Sequence, residues 1–450
     1  MRHISSRNSI VTVLLLLCCV QLSAPAGAET VGAGSLSQGS GAVMPTQAGQ
    51  ELKVTQYTLS PNQMKRAEAL YHTHVLMYVL QTAYSLLLLG LILRFRIAAR
   101  YRDWAERATG IRFLQAWIFI PLFMISIAVA ELPVGLYGQY IALRYGLSVQ
   151  TFGSWFWDFG KELFLEVVLG TFVLWILYAF IRKSPRHFWF YFWLISLPIL
   201  VFLIFLTPLV IEPMFNKFEP LADTHPQLVS ALKQVMHRGG LELPSSRMFE
   251  MKASEKVTTY NAYVTGISTS KRVVVWDNTA RDMTVPETLF VFGHEMGHYA
   301  LNHVLKGLAF GAALSFIGLW LGRRLALAAL ARFSGRWGIR DLGDWASLPL
   351  LYLVLSVMSF FAAPMESAFS RHLEHEADIY GLEVIHGIVA NSSEVAASAF
   401  QMLGEKSFSY PYPAKLYVFW TFSHPPIADR VRFALGFCPW DKGEAPQFVK

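Results

Sequence analysis

The sequence predicts a predominantly α-helical protein, built as a bundle of membrane-spanning helices with a small β-sheet attached. Three observations predict this class. Of the 450 residues, 54% are hydrophobic and 15% are charged, whereas soluble domains have roughly 25% charged residues. Six apolar segments each approach the length that crosses a bilayer. Between the fourth and fifth segments, a more polar section contains short runs typical of strands.

Charge and cysteine content exclude several classes of protein. The formal net charge is +7, but the arginines cluster in short loops beside the apolar segments, as the positive-inside rule predicts. We therefore expect a lipid bilayer as partner and no nucleic acid.

The three cysteines are Cys18, Cys19 and Cys438. Two of them lie in the N-terminal apolar run, which excludes a disulfide framework and a cysteine-based metal site.

The N-terminus has the pattern of an export signal. Residues 1–28 contain a basic start, an apolar run over 10–20 and an A-x-A-like cleavage site at 26–28. We interpret them as a signal peptide that is either removed or kept as an additional span. Residues 29–72 are predicted to be a flexible extracytoplasmic segment, because their first half is rich in Gly, Ser, Ala and Gln.

Four spans are predicted in an N-terminal membrane domain, residues 73–211, and two more in residues 304–368. The fifth is the shortest. The apolar segments cover residues 75–93, 116–134, 163–180, 188–211, 307–321 and 346–363. Basic residues follow the first, third and fifth segments, which places those loops in the cytoplasm. We therefore predict a multi-pass protein of a bacterial inner membrane, whose section 212–303 and C-terminal section 369–450 face the periplasm.

The section 212–303 carries signals for a small α/β unit. We predict a helix over residues 226–237, a strand over 247–251 and a hairpin formed by 258–264 and 272–276. Thr284 and Glu287 have the spacing of a capping box. They predict a helix that begins there and runs through residue 298.

That helix carries the pattern H-E-x-x-H. His294 and His298 lie one turn apart on the same face, where their imidazole nitrogens can hold one zinc ion. Glu295 then lies beside a water-bearing position, where its carboxylate can act as general base. These residue types at this spacing indicate metal-assisted hydrolysis of peptide bonds.

A catalytic zinc ion needs a third protein ligand. His303 lies about 140° further round the helix than His298, so we predict a packing or orienting role for it. Glu374 and Asp378 are one helical turn apart, so that one can bind the metal while the other orients a ligand histidine. A solvated charged helix face is the alternative interpretation.

The motifs together resemble those of the type 1 CAAX prenyl protease family, which are membrane zinc endopeptidases of the gluzincin type. The similarity runs from about residue 145 to residue 426. Its motifs are N-A-Y at 261–263, H-E-M-G-H at 294–298, S-R-x-x-E-x-x-A-D at 370–378 and S-H-P-P at 423–426. The resemblance implies a helical bundle that encloses a chamber over the metal.

The resemblance also implies roles for individual residues. His294, His298 and Glu374 match the ligands of one Zn²⁺ ion, and Glu295 matches the general base. The remaining matches are Asp378 as a carboxylate that orients a ligand, His424 as a histidine that steadies the oxyanion, and Asn261, Ala262 and Tyr263 as the edge strand that binds substrate.

The predicted function is that of an integral-membrane zinc metalloendopeptidase with peptide or protein substrates. Eukaryotic members of the family are described with seven spans and a cytosolic catalytic domain, so the periplasmic side predicted here puts a prenylated C-A-A-X substrate in doubt. Exported or membrane proteins are the expected substrates instead. The alternatives are a transporter or channel with a structural or regulatory zinc site, which would not need Glu295, and a protease whose H-E-x-x-H lies inside a span.

Overall fold

The computed structural model describes residues 54–266 and 270–449. The predicted signal peptide, and the predicted flexible segment as far as residue 53, lie outside the described residues. The described chain is mainly helical, with one small sheet. We number its helices α1 to α14. They are α1 Pro61–Arg94, α2 Ile97–Ala108, α3 Arg112–Arg144, α4 Phe152–Lys183, α5 Phe188–Phe215, α6 Leu221–Thr224, α7 Pro226–Arg238, α8 Asp277–Asp282, α9 Val285–Ala300, α10 His303–Trp337, α11 Leu348–Ile385, α12 Ser392–Lys406, α13 Lys415–Thr421 and α14 Ile427–Gly436.

Six of the described helices are long and apolar enough to cross a membrane, and they contain the six predicted segments. They are α1, α3, α4, α5, α10 and α11, the last with the preceding turn Trp345–Ser347. The predicted fifth span is confirmed as part of a helix of 35 residues. The last part of α5 passes through a π-helical stretch, Thr207–Ile211, before it ends at Phe215.

The first span begins earlier than the sequence analysis predicted. α1 starts at Pro61, inside the segment that we expected to be flexible as far as residue 72. A capping box explains the start, because the Ser60 hydroxyl accepts from Gln63 N while the Gln63 side chain accepts from Ser60 N. Just before it, Tyr57 is buried and donates to Ser409 O at 2.9 Å. The end of the predicted flexible segment is therefore ordered.

The three arginine-rich connections lie together at one end of the bundle, which we call the arginine end. It comprises residues 94–112, 182–188 and 323–345. Hydrogen bonds join the three connections: Arg96 donates to Arg336 O at 3.0 Å, Arg182 to Gly343 O at 2.9 Å and Arg323 to Pro185 O at 3.2 Å. The first connection is not a loop throughout, because it contains α2.

A four-stranded sheet follows the fourth span. Its order is β1-β2-β4-β3, with β1 Phe218–Pro220, β2 Met248–Met251, β3 Ala262–Thr265 and β4 Arg272–Trp276. The predicted hairpin is confirmed as the antiparallel pair β3–β4. Strand β4 also pairs in parallel with β2. Strand β3 therefore lies at an edge of the sheet.

The two faces of the sheet have different neighbours. Val273 and Val275 on one face belong to a core that includes Phe290 of α9. On the other face, Tyr263 and Val274 form a smaller cluster. Ion pairs across that side fasten the sheet to the spans: Lys256 Nζ lies 2.5 Å from Asp158 Oδ2 in α4, and Arg272 Nη2 lies 2.5 Å from Glu212 Oε2 in α5. The sheet and α9 thus form one unit that is joined to the membrane domain.

Candidate metal centre

Helix α9 carries the H-E-x-x-H residues, and its start is fixed by the predicted capping box. Thr284 N donates to Glu287 Oε2 at 2.8 Å, and the Thr284 hydroxyl accepts from Glu287 N at 3.4 Å. Pro286 in the first turn suits a position whose N–H has no partner within the helix. The helix then runs unbroken through His298 to Ala300. Local sequence signals therefore position both histidines.

Glycines allow α9 and α11 to approach closely. A Cβ atom on Gly293 would lie 2.8 Å from Val384 Cγ1, and one on Gly381 would lie 2.9 Å from His294 N. Both distances are shorter than van der Waals contact, so any side chain here would push the helices apart. The close packing brings the middle of α11 next to the two histidines.

The structure brings His294, His298 and Glu374 together. One nitrogen or oxygen of each residue lies within 4.8 Å of those of the other two. The Nε2 atoms of His294 and His298 are 3.2 Å apart. Glu374 Oε2 lies 3.2 Å from His294 Nε2, and Glu374 Oε1 lies 3.5 Å from His298 Nε2. Two imidazoles and one carboxylate converge on one point from two helices.

This donor set fits a divalent metal ion. Within the described part of the chain, Glu374 Oε2 is buried and forms no hydrogen bond of good geometry, although nitrogens of His294 and His424 lie 3.2 Å and 3.1 Å away. A buried carboxylate oxygen without a hydrogen bond is costly, and a bound cation removes that cost. Two histidines and one carboxylate also match the ligand types of catalytic zinc sites.

A buried carboxylate and a guanidinium orient the first histidine. Asp378 Oδ1 lies 2.8 Å from His294 Nδ1, which leaves Nε2 directed at the metal position. Arg430 of α14 holds Asp378 through both oxygens, at 2.6 Å and 3.0 Å. Burial opposes the charged imidazole, but Asp378 and Glu374 outweigh it and raise the pKa of His294 to about 10. A metal ion must therefore displace a proton from His294.

A second chain of contacts orients the other histidine. His303 Nδ1 lies 3.0 Å from His298 Nδ1, and His303 Nε2 lies 3.0 Å from Glu376 Oε2. The angle between His298 and His303 was predicted on the assumption that one helix contains both residues. That assumption is wrong, because Asn302 adopts a left-handed conformation with φ of 57° and separates α9 from α10. Despite this break, His303 holds the ring of His298 instead of joining the three donors.

Glu295 and His424 lie at the same site. The Glu295 carboxyl is half-buried, and burial raises its pKa against the opposing effect of His294 and His298. His424 Nε2 lies 3.1 Å from Glu374 Oε2, while its Nδ1 lies 3.0 Å from Ser423 Oγ. A carboxyl whose proton affinity is raised suits proton transfer near neutral pH.

The three residues expected to bind substrate lie at the sheet edge. Ala262 and Tyr263 begin β3, which packs against α9, and Asn261 precedes it. The main chain of Asn261 is fixed by Thr279, whose hydroxyl accepts from Asn261 N at 2.7 Å and contacts Asn261 O at 2.8 Å. Tyr263 Oη donates to Glu212 Oε2 at 3.1 Å. These hydrogen bonds hold the strand beside α9.

Sequence reasoning did not find Arg430. It lies in a short helix beyond the S-H-P-P motif, and an isolated arginine carries no pattern of its own. One signal is available: a buried carboxylate such as Asp378 requires a cationic partner. That requirement points to an arginine without specifying which one.

Fold and site together define an integral-membrane metallopeptidase. The profile described as Peptidase family M48 matches residues 219–436, and the profile described as CAAX prenyl protease N-terminal, five membrane helices, matches residues 47–217. The uncharacterized metalloprotease YhfN of Bacillus subtilis is 31% identical over 84% of this chain and 86% of its own length. The chain belongs to peptidase family M48.

More distant relatives also match most of the chain. The CAAX prenyl protease 1 homolog of Homo sapiens is 23% identical over 78% of this chain and 80% of its own. The crystal structure of S. mikatae Ste24p has a TM-score of 0.70 at 22% identity and covers 84% of this chain and 89% of its own. The protein is therefore a multi-pass membrane metallopeptidase that acts on peptides or proteins, and the transporter and channel alternatives are set aside.

Proposed function

We propose that the protein is a zinc endopeptidase in which His294, His298 and Glu374 hold the ion and Glu295 is the general base. The observation that carries this proposal is the convergence of three donor atoms within 4.8 Å, contributed by two helices that glycines hold in close contact. Two histidines and a carboxylate favour zinc among divalent ions at a site for hydrolysis.

The surrounding side chains divide the work of peptide hydrolysis. When bound, zinc supplies Lewis acidity, which polarises a carbonyl group and makes water more acidic. Glu295 takes a proton from the attacking water and delivers it to the leaving amine, which its raised pKa favours. His424, 3.1 Å from Glu374, donates a hydrogen bond to the oxyanion of the tetrahedral intermediate. Asp378 and His303 keep both ligand imidazoles in the required orientation.

The substrate binds along β3. Among the described strands, β3 pairs with β4 on one side only, so its other side offers main-chain groups to an extended peptide. Asn261, Ala262 and Tyr263 form the part of this edge that Thr279 and Glu212 hold in place. Main-chain pairing accepts many sequences, which suits a protease with broad specificity.

The metal centre works on the periplasmic side of a bacterial inner membrane. Helix α10 begins at His303 beside the metal centre and ends at Trp337 in the arginine end. Its 35 residues span about 50 Å, enough to place the two ends on opposite sides of a bilayer. Arginine-rich short connections favour the cytoplasm.

Exported proteins and periplasmic segments of membrane proteins are then the substrates, because prenylated cytosolic tails would not reach the site.

A polar chamber between the spans receives these substrates. Polar groups inside the bundle support the chamber: Ser85 in the first span donates to Glu131 in the second at 3.1 Å. Carboxylates at such depth are costly unless they face a polar space.

Two variants test the proposal when metal content and peptide cleavage are measured on the same purified protein. Glu295→Gln should keep one zinc ion per chain and lose turnover by a factor of about 10² to 10⁴, because the base is removed and the ligands stay. Glu374→Ala should lose both zinc and cleavage, because it removes a ligand. Glu242→Gln changes an exposed carboxylate of the soluble section and should match the wild type.

Zinc content and cleavage rate together show which part of the proposal is wrong. If Glu374→Ala kept full zinc occupancy, the third ligand would have to be sought at His375, Glu376 or Asp378. If Glu295→Gln cleaved peptide at the wild-type rate, another group would be the base. Chelation should abolish cleavage by the wild type, and added zinc should restore it.

A further inference from the structure

The segment 410–422 lies outside the six predicted spans, yet it packs against two of them. Its aromatic rings meet those of α1 and α11: Tyr410 stacks on Tyr71 with ring centroids 5.1 Å apart, and Trp420 meets Phe360 at 4.9 Å. Main-chain contacts add to these, because Ala414 N donates to Tyr71 Oη at 2.9 Å. The segment is therefore fastened along the ends of the first and last spans.

Those contacts occur at the depth of the outer membrane boundary. A bilayer core takes about 20 helical residues, and the last apolar segment begins at about residue 346, so it leaves the core near residue 366. Ser367 donates to Trp420 O at 3.2 Å and marks this level. On α1, the contact residues Tyr71 and Tyr78 flank the start of the apolar segment. Aromatic residues are enriched at this boundary.

The outer face of the segment is apolar and exposed. Tyr412 is 73% exposed, Leu416 is 72% exposed and Phe419 is 48% exposed. Phe361 and Met365 of the last span are also exposed, at the same level. The apolar side chains of the segment therefore extend an exposed apolar surface of the last span, and a surface of this kind is suited to contact with lipid.

We propose that the segment 410–422 is an interfacial membrane anchor. Tyr412, Leu416 and Phe419 are inserted at the boundary between the lipid headgroups and the acyl chains. The short helix α13, Lys415–Thr421, lies at this boundary and does not cross the membrane. Lipid is thus the partner of this surface, which adds to the six candidate spans of the described residues.

The anchor also reaches the catalytic site, a consequence that rests on the proposed role of His424. Arg371 of α11 donates to Val418 O at 3.1 Å and to Phe422 O at 2.6 Å. His424 follows two residues after Phe422. Arg371 therefore links the anchor to the stretch of chain that carries His424.

Lipid contact can be measured without any reference to catalysis. Single-cysteine variants Leu416→Cys, Phe361→Cys and Arg432→Cys are made in the full chain after Cys18, Cys19 and Cys438 are replaced by serine. Each is labelled with an environment-sensitive fluorophore and reconstituted into phosphatidylcholine bilayers. Quenching by lipids that carry a nitroxide high on the acyl chain is compared with quenching by aqueous iodide. Phe361 represents the last span, and Arg432 is an exposed residue of α14.

The proposal predicts that the label at residue 416 loses as much fluorescence to the lipid quencher as the label at residue 361, and little to iodide. The label at residue 432 should show the reverse. Quenching at residue 416 by iodide alone would place the segment in water and overturn the proposal. Protection from both quenchers would show a protein partner on this face and would overturn it as well. Tyr412→Cys, labelled in the same way, should repeat the result for residue 416.

Discussion

The two ends of the helical bundle use charge in opposite ways. At the metal end, which carries the candidate metal centre of His294, His298 and Glu374, ionisable side chains are buried and bind one another. Asp378 is held between His294 and Arg430, and Glu374 lies between His294 and His424. At the arginine end, most guanidinium groups are exposed and several donate to main-chain carbonyls of neighbouring connections. The metal end thus concentrates charge around one site, and the arginine end uses charge to join the connections between spans.

The difference between the two ends follows from the free energy that is needed to bury a charged side chain. A buried charge is stable only when partners with good geometry surround it, so each member of the metal end depends on the others. An exposed arginine keeps most of its hydration and depends little on any single contact. Substitutions should therefore have large, coupled effects at the metal end and small effects at the arginine end, except where a charge is buried there too.

The largest effect on zinc binding in this comparison is expected for Arg430→Ala. It leaves the buried Asp378 carboxylate without its cation, so His294 loses its orientation. Zinc affinity should fall by a factor of about 10 to 100, as measured by competition with a chelator, and cleavage at limiting zinc should fall with it. Arg432→Ala, two residues away and exposed, is the matched control and should leave both unchanged. Unchanged zinc affinity in Arg430→Ala would show that Asp378 does not depend on it.

Arg102→Ala should have a different effect, on stability instead of on zinc binding. Arg102 lies 2.6 Å from Asp344, and both side chains are buried, so this pair is the exception at the arginine end. Its loss leaves Asp344 buried without a cation and should cost about 3 to 5 kcal/mol of stability. Thermal unfolding in detergent measures the loss as a lower Tm, while zinc content of the folded protein should stay at the wild-type level. A drop in zinc content at unchanged Tm would reverse the contrast between the two ends.

The smallest effect is expected for Arg340→Ala. Arg340 pairs with Glu106 at 2.8 Å, but its side chain is 54% exposed. Exposed pairs of this kind contribute about 0.2 to 1 kcal/mol, so the shift in Tm should be close to the error of measurement. A shift as large as that of Arg102→Ala would show that exposed arginines also carry the stability of this end.

The features that the sequence predicted well have local causes. Long apolar segments, the capping box at Thr284 and the H-E-x-x-H spacing are each written in a few neighbouring residues, and the structure shows the spans and the helix where they were expected. The pairing of Glu374 with the two histidines is not local. It came from resemblance to a family, and the structure supplies the physical cause in the glycines that let α9 and α11 meet.

What the sequence did not predict depends on distant contacts. Helix α2 was interpreted as a basic loop, because its few apolar residues gain stability only by packing on other connections. Arg430 becomes recognisable only when Asp378 is known to be buried. The break at Asn302 was missed because a single left-handed residue leaves little trace in the pattern around it.

The proposed placement of the two ends on opposite sides of the membrane is tested most directly by an impermeant thiol reagent on intact spheroplasts. Single cysteines are introduced as Arg432→Cys at the metal end and Ala108→Cys in α2 at the arginine end, in a chain whose three native cysteines are replaced by serine. A periplasmic metal centre predicts that residue 432 is labelled in intact spheroplasts and residue 108 only after lysis. Labelling of residue 108 in intact spheroplasts, with residue 432 protected until lysis, would place the metal centre in the cytoplasm and contradict the orientation proposed here.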